Sequence, residues 1–314
     1  MTTFHPDLAV GRFIPPIAIG PRLARLATRP RKPSAAADAP PDLVVEDVDV
    51  PATAGSPGTR VRFYRPRTAR GVVPALVWVH GGGMVLGDHL QDERVNTSIA
   101  RTLGITVVSV GYRLAPAHPA PAALEDVYAA LLWLRENAAD RRVDPDRIAV
   151  GGASAGGGIA AGVTLMAHDR GDVSVAFQLL VYPMIDDRTV TRTDQDTRDV
   201  RVWTPASNRF GWTSYLGHEP GVGEVSPYAA PARRADLTGL PPAWIGVGSL
   251  DLFLDEDTRY AERLRAAGVP ATLEVVPGAF HGFDALFAGK GVSKRFLASQ
   301  VAALETAFFP EGRD

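Results

Sequence analysis

Ser154 stands at the centre of Gly152-Ala153-Ser154-Ala155-Gly156, directly after the apolar run Ile148-Ala149-Val150 and before the small-residue segment Ile159-Ala160-Ala161. A strand, a sharp turn and a helix in that order would hold a serine as a nucleophile on an exposed elbow. A serine hydroxyl reacts poorly unless it is presented beside a base, so the chain must turn tightly at the serine. Side chains two residues before and after would collide with the adjoining strand and helix, which favours glycine at both places. The N–H groups of the following helix point back at the serine, where negative charge develops in acyl transfer. With 31 glycines in 314 residues, such a short motif can arise by accident. Its weight comes from the strand and helix around it.

A second glycine cluster, His80-Gly81-Gly82-Gly83, follows the strand-like run Pro74-Ala75-Leu76-Val77-Trp78-Val79. Three residues without Cβ let backbone N–H groups approach a substrate oxygen to hydrogen-bonding distance, alongside the N–H of Ala155 just after the serine. A phosphate cradle is the competing reading. No Gly-Lys-Ser/Thr follows, and the loop does not fit the dinucleotide-binding fingerprint.

A base and an acid should follow in the order serine, acid, histidine. His281, in Gly278-Ala279-Phe280-His281-Gly282-Phe283, comes just past the strand-like residues 271–276 and suits the base. His218 lies in a turn-rich stretch with no strand before it, and His168 lies within the helix leaving the elbow, so both read as surface residues. Asp251 follows the strand-like residues 242–247 and is the favoured acid. Its rivals are Asp255 and Glu256, which suit the first turn of a helix through its dipole, and Asp186, which follows the strand-like residues 177–182.

These stretches, with Tyr112-Arg113-Leu114-Ala115-Pro116, residues 119–126, residues 144–152, Ser226-Pro227, residues 236–242 and residues 251–256, resemble the bacterial hormone-sensitive-lipase-like esterases of the α/β-hydrolase superfamily. The likeness covers about residues 60–310, with its motifs in one order. It implies Ser154 as nucleophile, His281 as base, Asp251 as acid, and Gly81, Gly82 and Ala155 as oxyanion-hole donors. It also implies an α/β-hydrolase fold: a mostly parallel eight-stranded sheet flanked by helices, with a helical cap. Two positions depart from the pattern. Ala153 stands where the family usually carries Asp or Thr, and Leu252 where Pro is common. Neither is a triad member, but both weaken inference about substrate.

The elements that must position these groups can be read from periodicity. Strand-like and helix-like segments alternate, as in a mostly parallel sheet covered on both faces. Residues 43–50, 60–64, 75–79, 105–110 and 147–150 read as strands. Residues 122–137 read as a helix through Leu124, Val127, Tyr128, Leu131, Leu132 and Leu134, stopped at Asp144-Pro145. Residues 294–308 form the final helix. Two segments break the alternation: residues 1–42, rich in Pro and Ala with an extended connector from Arg29 to Pro41, and residues 186–225, polar and then aromatic with Trp203, Phe210, Trp212 and Tyr215. Either they are a flexible arm and a surface loop, or, as the resemblance implies, they pack together as a cap. A structureless forty-residue loop would be unusual, which favours the cap. The aromatics would then line an acyl pocket or form the cap's own core. The expected division is an arm and cap part (1–42), a first catalytic part (43–185), a cap insertion (186–225) and a second catalytic part (226–314).

Composition narrows the function classes. Hydrophobic content of 46% and charged content of 22% are those of a globular protein, and a formal charge of −2 carries no electrostatic footprint for nucleic acid. Zero cysteines exclude disulfides, thiolate metal ligands and a cysteine nucleophile. Neither a signal peptide nor a bilayer-spanning run is read from the sequence, and the expected location is cytoplasmic. No cofactor and no metal is expected, since no His-Glu-x-x-His occurs. The expected activity is hydrolysis of a small-molecule ester of short-to-medium acyl length through an acyl-enzyme. An amidase or lactonase on the same triad is the nearer alternative, and a non-catalytic small-molecule-binding protein on a hydrolase scaffold the farther one. The resemblance also allows a homodimer paired through an edge strand.

Overall fold

In the computed structural model of the chain, residues 3–22, 24 and 40–312 are described. The connector expected from Arg29 to Pro41 therefore lies largely outside the described residues. Eight strands form one sheet: β1 (Leu43–Val50), β2 (Thr59–Pro66), β3 (Val73–Val79), β4 (Thr106–Gly111), β5 (Val143–Ala153), β6 (Phe177–Val181), β7 (Ala243–Gly248) and β8 (Ala271–Val276). Their spatial order is β1-β2-β4-β3-β5-β6-β7-β8. Only the β1–β2 and β2–β4 pairings are antiparallel. The six strands from β4 to β8 run parallel.

The sequence explains this layering. A strand sends successive side chains to opposite faces, so a strand covered on both sides must be apolar throughout. In β3, Ala75, Val77 and Val79 enter the core with the helices Ala122–Glu136, Ala155–Arg170 and Leu254–Ala266. Leu76 and Trp78 enter the opposite core with the helices Glu93–Leu103 and Gly291–Phe308. In the edge strand β1 only the end residues Leu43 and Val50 are buried. There Asp47 and Asp49 pair with Arg62 and Arg60 of β2.

Two sequence readings need correction. β5 begins at Val143 rather than after Asp144-Pro145, and Val143 pairs with Val73. A register shift between Val73 and Ala75 absorbs the proline, which cannot donate to the ladder. The helix Glu93–Leu103 was not read from the sequence because its inner face includes Asn96 and Thr97, which blur the apolar stripe.

Residues 186–225 contain a 3-10 turn, Asp187–Thr191, and the helix Pro205–Leu216. That helix is capped by the Thr204 side chain, which accepts from Ser207 N, and stopped by left-handed Gly217. The described part of the arm meets this segment directly. Ile19 N donates to Ser207 Oγ at 2.9 Å, and the Arg201 guanidinium donates to the Arg12 carbonyl at 3.2 Å. The arm is also tied to the sheet's far end, with His5 N donating to the Gly278 carbonyl and Val292 N to Asp7 Oδ2, both at 2.9 Å.

Candidate active site

β5 ends at Ala153, and the helix Ala155–Arg170 begins one residue after Ser154. Ser154 bridges the two with φ 58° and ψ −122°, a conformation L side chains rarely adopt. Strain of this kind costs about 1–3 kcal/mol and persists only where surrounding contacts enforce it. Here they do: Ser154 N donates to the Val181 carbonyl at 2.8 Å, and the Ser154 carbonyl accepts from Gly158 N at 3.1 Å and Met184 N at 3.0 Å. The flanking glycines leave no room for a side chain. A Cβ on Gly152 would lie 2.5 Å from the Val79 carbonyl oxygen, and one on Gly156 only 2.1 Å from the same atom.

The structure brings Ser154, His281 and Asp251 together. His281 follows β8 by a short turn, and Asp251 follows β7. Ser154 Oγ lies 2.9 Å from His281 Nε2, and His281 Nδ1 lies 2.8 Å from Asp251 Oδ2. The other Asp251 oxygen accepts from Phe253 N at 3.0 Å. With Nδ1–H donating to the carboxylate, Nε2 is the acceptor facing the hydroxyl. All three residues are buried. The imidazole is packed by Tyr182, with ring centroids 4.7 Å apart, and by Phe253, edge-on at 5.2 Å.

The glycine loop lies against the elbow. A Cβ on Gly81 would sit 3.0 Å from the Ala153 oxygen and 3.4 Å from Ser154 Cβ. Gly82 and Gly83 have φ of 118° and 61°, and the Gly82 carbonyl accepts from both Val85 N and Leu86 N at 3.1 Å. Ala155 is buried at the first turn of its helix. The N–H groups of Gly81, Gly82 and Ala155 thus belong to backbone that closes around Ser154. Trp203 settles on this loop so closely that a Cβ at Gly83 would lie 2.0 Å from its ring. Trp212 and Tyr215, by contrast, are buried against each other. Of the aromatics in 186–225, then, Trp203 abuts the site, while Trp212 and Tyr215 join the core shared by β3 and the helices Ala122–Glu136 and Ala155–Arg170.

Several supporting residues carried no role in the sequence. His80 is fully buried, which pushes its imidazole down to about 4 and keeps it neutral. Its Nδ1 lies 2.7 Å from the Gly81 carbonyl, and its ring stacks on Tyr112 at 4.2 Å. The Tyr112 hydroxyl donates to the His80 carbonyl at 2.9 Å. The next residue, Arg113, is clamped by buried Asp126, which also accepts from Ser56 Oγ at 2.6 Å. Behind His281, the Tyr182 hydroxyl donates to buried Asp284 at 2.8 Å. Burial raises the Asp284 carboxyl above its ordinary range. Burial, with Asp284 nearby, likewise pushes Asp92 up to about 6, although Trp78 Nε1 donates to it at 2.9 Å. The Tyr112-Arg113 and Glu125-Asp126 stretches, which carry part of the family resemblance, are a faint signal for the first group; nothing in the sequence points to the second.

The rival residues lie elsewhere. Asp255 pairs with Arg192 at 2.5 Å and Asp186 with Arg188 at 2.7 Å. Glu256 is buried and accepts from Ile185 N at 2.9 Å and Asp186 N at 3.2 Å. His218 and His168 are exposed. Among the described residues, no group of three or more His, Asp or Glu could hold a metal ion, and no helix is long and apolar enough to cross a membrane.

A family model described as the alpha/beta hydrolase fold matches residues 76–285. The carboxylic ester hydrolase LipN of Mycobacterium tuberculosis is 38% identical over 265 residues, 83% of this chain and 69% of that protein. Carboxylesterase NlhH of the same species is 39% identical over 253 residues, 78% of each. Among solved structures, a bacterial heroin esterase superposes with a TM-score of 0.87 at 37% identity, covering 98% of both chains.

Proposed function

This chain belongs to the hormone-sensitive-lipase-like family of α/β hydrolases, and from that premise we propose that it is a serine carboxylesterase acting through Ser154, His281 and Asp251 on short-to-medium acyl esters. Its relatives at 38–39% identity are a carboxylic ester hydrolase and a carboxylesterase. The observation that supports the triad is the buried chain of contacts from Ser154 Oγ to His281 at 2.9 Å and on to Asp251 at 2.8 Å.

In this reading His281 Nε2 takes the hydroxyl proton as Ser154 Oγ attacks the ester carbonyl. The Asp251 carboxylate holds the tautomer with Nδ1–H and stabilises the imidazolium that forms. The N–H groups of Gly81, Gly82 and Ala155 receive the oxyanion, where losing one donor costs about 2.7–4 kcal/mol. His281 returns the proton to the leaving alcohol, and water then attacks the acyl-enzyme with His281 again as base. The arm and residues 186–225 act as the cap, with Trp203 limiting acyl length by filling the space beside Gly83.

The test is initial-rate hydrolysis of p-nitrophenyl esters from acetate to palmitate. We expect a maximum at short or middle chain lengths and, in folded Ser154→Ala, a fall of about 10⁶-fold. Retained turnover in the variant would refute the mechanism. Turnover on anilides or lactones but on no ester would reassign the substrate.

A further inference from the structure

Val202 has φ 68°, although it is β-branched and lies just before the helix Pro205–Leu216 rather than in it. Trp203 N donates across it to the Arg201 carbonyl at 2.8 Å, so the three residues form a γ-turn with positive φ, a rare and strained geometry. For a β-branched residue such a φ is a genuine outlier. Strain of this kind persists only where the surroundings enforce it. Before the turn, the Arg201 guanidinium donates to the carbonyls of Arg198 at 3.0 Å, Val200 at 2.9 Å and Arg12 of the arm at 3.2 Å. It also lies over the Phe4 ring, 5.3 Å from its centroid. After the turn, Trp203 Nε1 donates to Asn208 Oδ1 at 3.2 Å.

The turn sends neighbouring side chains to two different places. Trp203 joins the buried cluster that contains Met84, Val85 and Ala155, and its ring lies against Gly83 of the glycine loop. Val202 packs on the other cluster, that of Tyr182, Phe280 and Phe283, of which the last two flank His281-Gly282. Its Cγ1 stands 3.9 Å from where a Cβ on Gly282 would be. Tyr182 and Phe253, which pack the imidazole, are buried, whereas Val202 is only half-buried. Val202 thus keeps apolar surface uncovered beside the loop that carries the base.

We propose that Val202 selects the alcohol portion of the ester by walling the leaving-group side of the site, a role that rests on the esterase reading and adds to it. Acylation requires His281 to hand its proton to the leaving oxygen, so the alcohol portion must lie against the imidazole. The carbonyl oxygen lies instead at the glycine loop. Trp203 on that loop meets the acyl chain, and Val202 beside His281-Gly282 meets the alcohol. One strained turn therefore divides the pocket into its two halves. Because it is clamped at both ends, by Arg201 and by Asn208, it fixes the two walls relative to each other. The alcohol departs before water attacks the acyl-enzyme, so Val202 acts on acylation and leaves acyl-length preference to Trp203.

The experiment crosses two substrate series on the full chain: butyrate esters of ethanol, 2-propanol and cyclohexanol, followed by acid release, and p-nitrophenyl esters of increasing acyl length. Val202→Ala should raise kcat/KM for cyclohexyl relative to ethyl butyrate by about tenfold, the scale of a methylene or two in an apolar pocket. Val202→Ile, which keeps the β-branch and so the backbone preference, should lower the same ratio. Both variants should keep the shape of the acyl-length profile. Trp203→Ala should do the reverse, extending that profile to longer chains with the alcohol ratio unmoved. A merely structural Val202 would slow all esters together and leave the alcohol ratio constant. That result, or an acyl-length profile that shifts along with the ratio, would overturn the proposal while the esterase reading stands. Hydrolysis of no ester in either series by the wild-type protein would overturn both.

Discussion

The turns that carry Ser154 and Asp251 both leave the carboxyl end of a buried parallel strand, yet they are built by opposite means. At Ser154 the backbone does the positioning: φ of 58°, three backbone hydrogen bonds and glycines at 152 and 156 that exclude any Cβ. At Asp251 no residue from 249 to 253 has a positive φ, and the carboxylate is oriented by what it accepts, Phe253 N on one oxygen and His281 on the other. The serine is aimed by steric exclusion and the aspartate by hydrogen bonding. A nucleophile must reach outward at a fixed angle, which strain can enforce. An acid only has to hold an imidazole, and two polar contacts suffice.

If that contrast is right, the two turns should fail in different ways. Removing acceptor character on the acid side should strike catalysis and spare the fold: Asp251→Asn should lower kcat on p-nitrophenyl butyrate by about 10⁴-fold with an unchanged Tm. Adding one methyl on the serine side should strike the fold. Gly156→Ala places a Cβ 2.1 Å from the Val79 oxygen and 2.5 Å from that of His80, and should destabilise by about 3 kcal/mol or more in urea unfolding. A normal Cm for Gly156→Ala would break the comparison.

A subtler difference concerns protons. Neutral His80, held down to about 4 under the glycine loop, favours the folded state fully above pH 6.5, and that contribution disappears as pH falls toward 4. Asp92, raised to about 6, has the opposite sign: its contribution is full below pH 3.8 and is lost as pH rises through 6. Each spans about 3 kcal/mol, so between pH 4 and 6 they largely cancel. Asp92→Asn should therefore unmask the histidine, making stability climb with pH across that window, as read from urea midpoints at pH 4.5 and 7. The smallest effect belongs to the packing behind the base. Tyr182→Phe keeps the ring against His281 but removes the 2.8 Å bond to Asp284, and should cost about 1 kcal/mol of stability with turnover nearly intact.

The sequence disclosed what chemistry or burial leaves no freedom over. The inner strands β3 to β7 lie where apolar runs are read, because a strand covered on both faces has few polar options. Ser154, Gly81 and His281 were legible because their residue types cannot be exchanged without losing the proposed reaction. The helix Glu93–Leu103 was hidden by its buried Asn96 and Thr97. The start of β5 was hidden by Pro145, which a register shift accommodates. Tyr182 and Asp284 meet across 102 positions of chain, and no local pattern encodes such a pair. Asp251 and Glu256 are likewise told apart only in space: the first faces the imidazole of His281, the second the backbone of residues 185–186.

The arm's anchorage has a consequence for the order of assembly. Its contacts are with Ser207, Gly278 and Val292, separated from it by as many as 285 residues. During synthesis, at about 5–20 residues per second, residues 5–19 wait for tens of seconds before any of these partners exists. The segment translated early is thus the one docked late, and its contact with Gly278 can form only after β8 has been made.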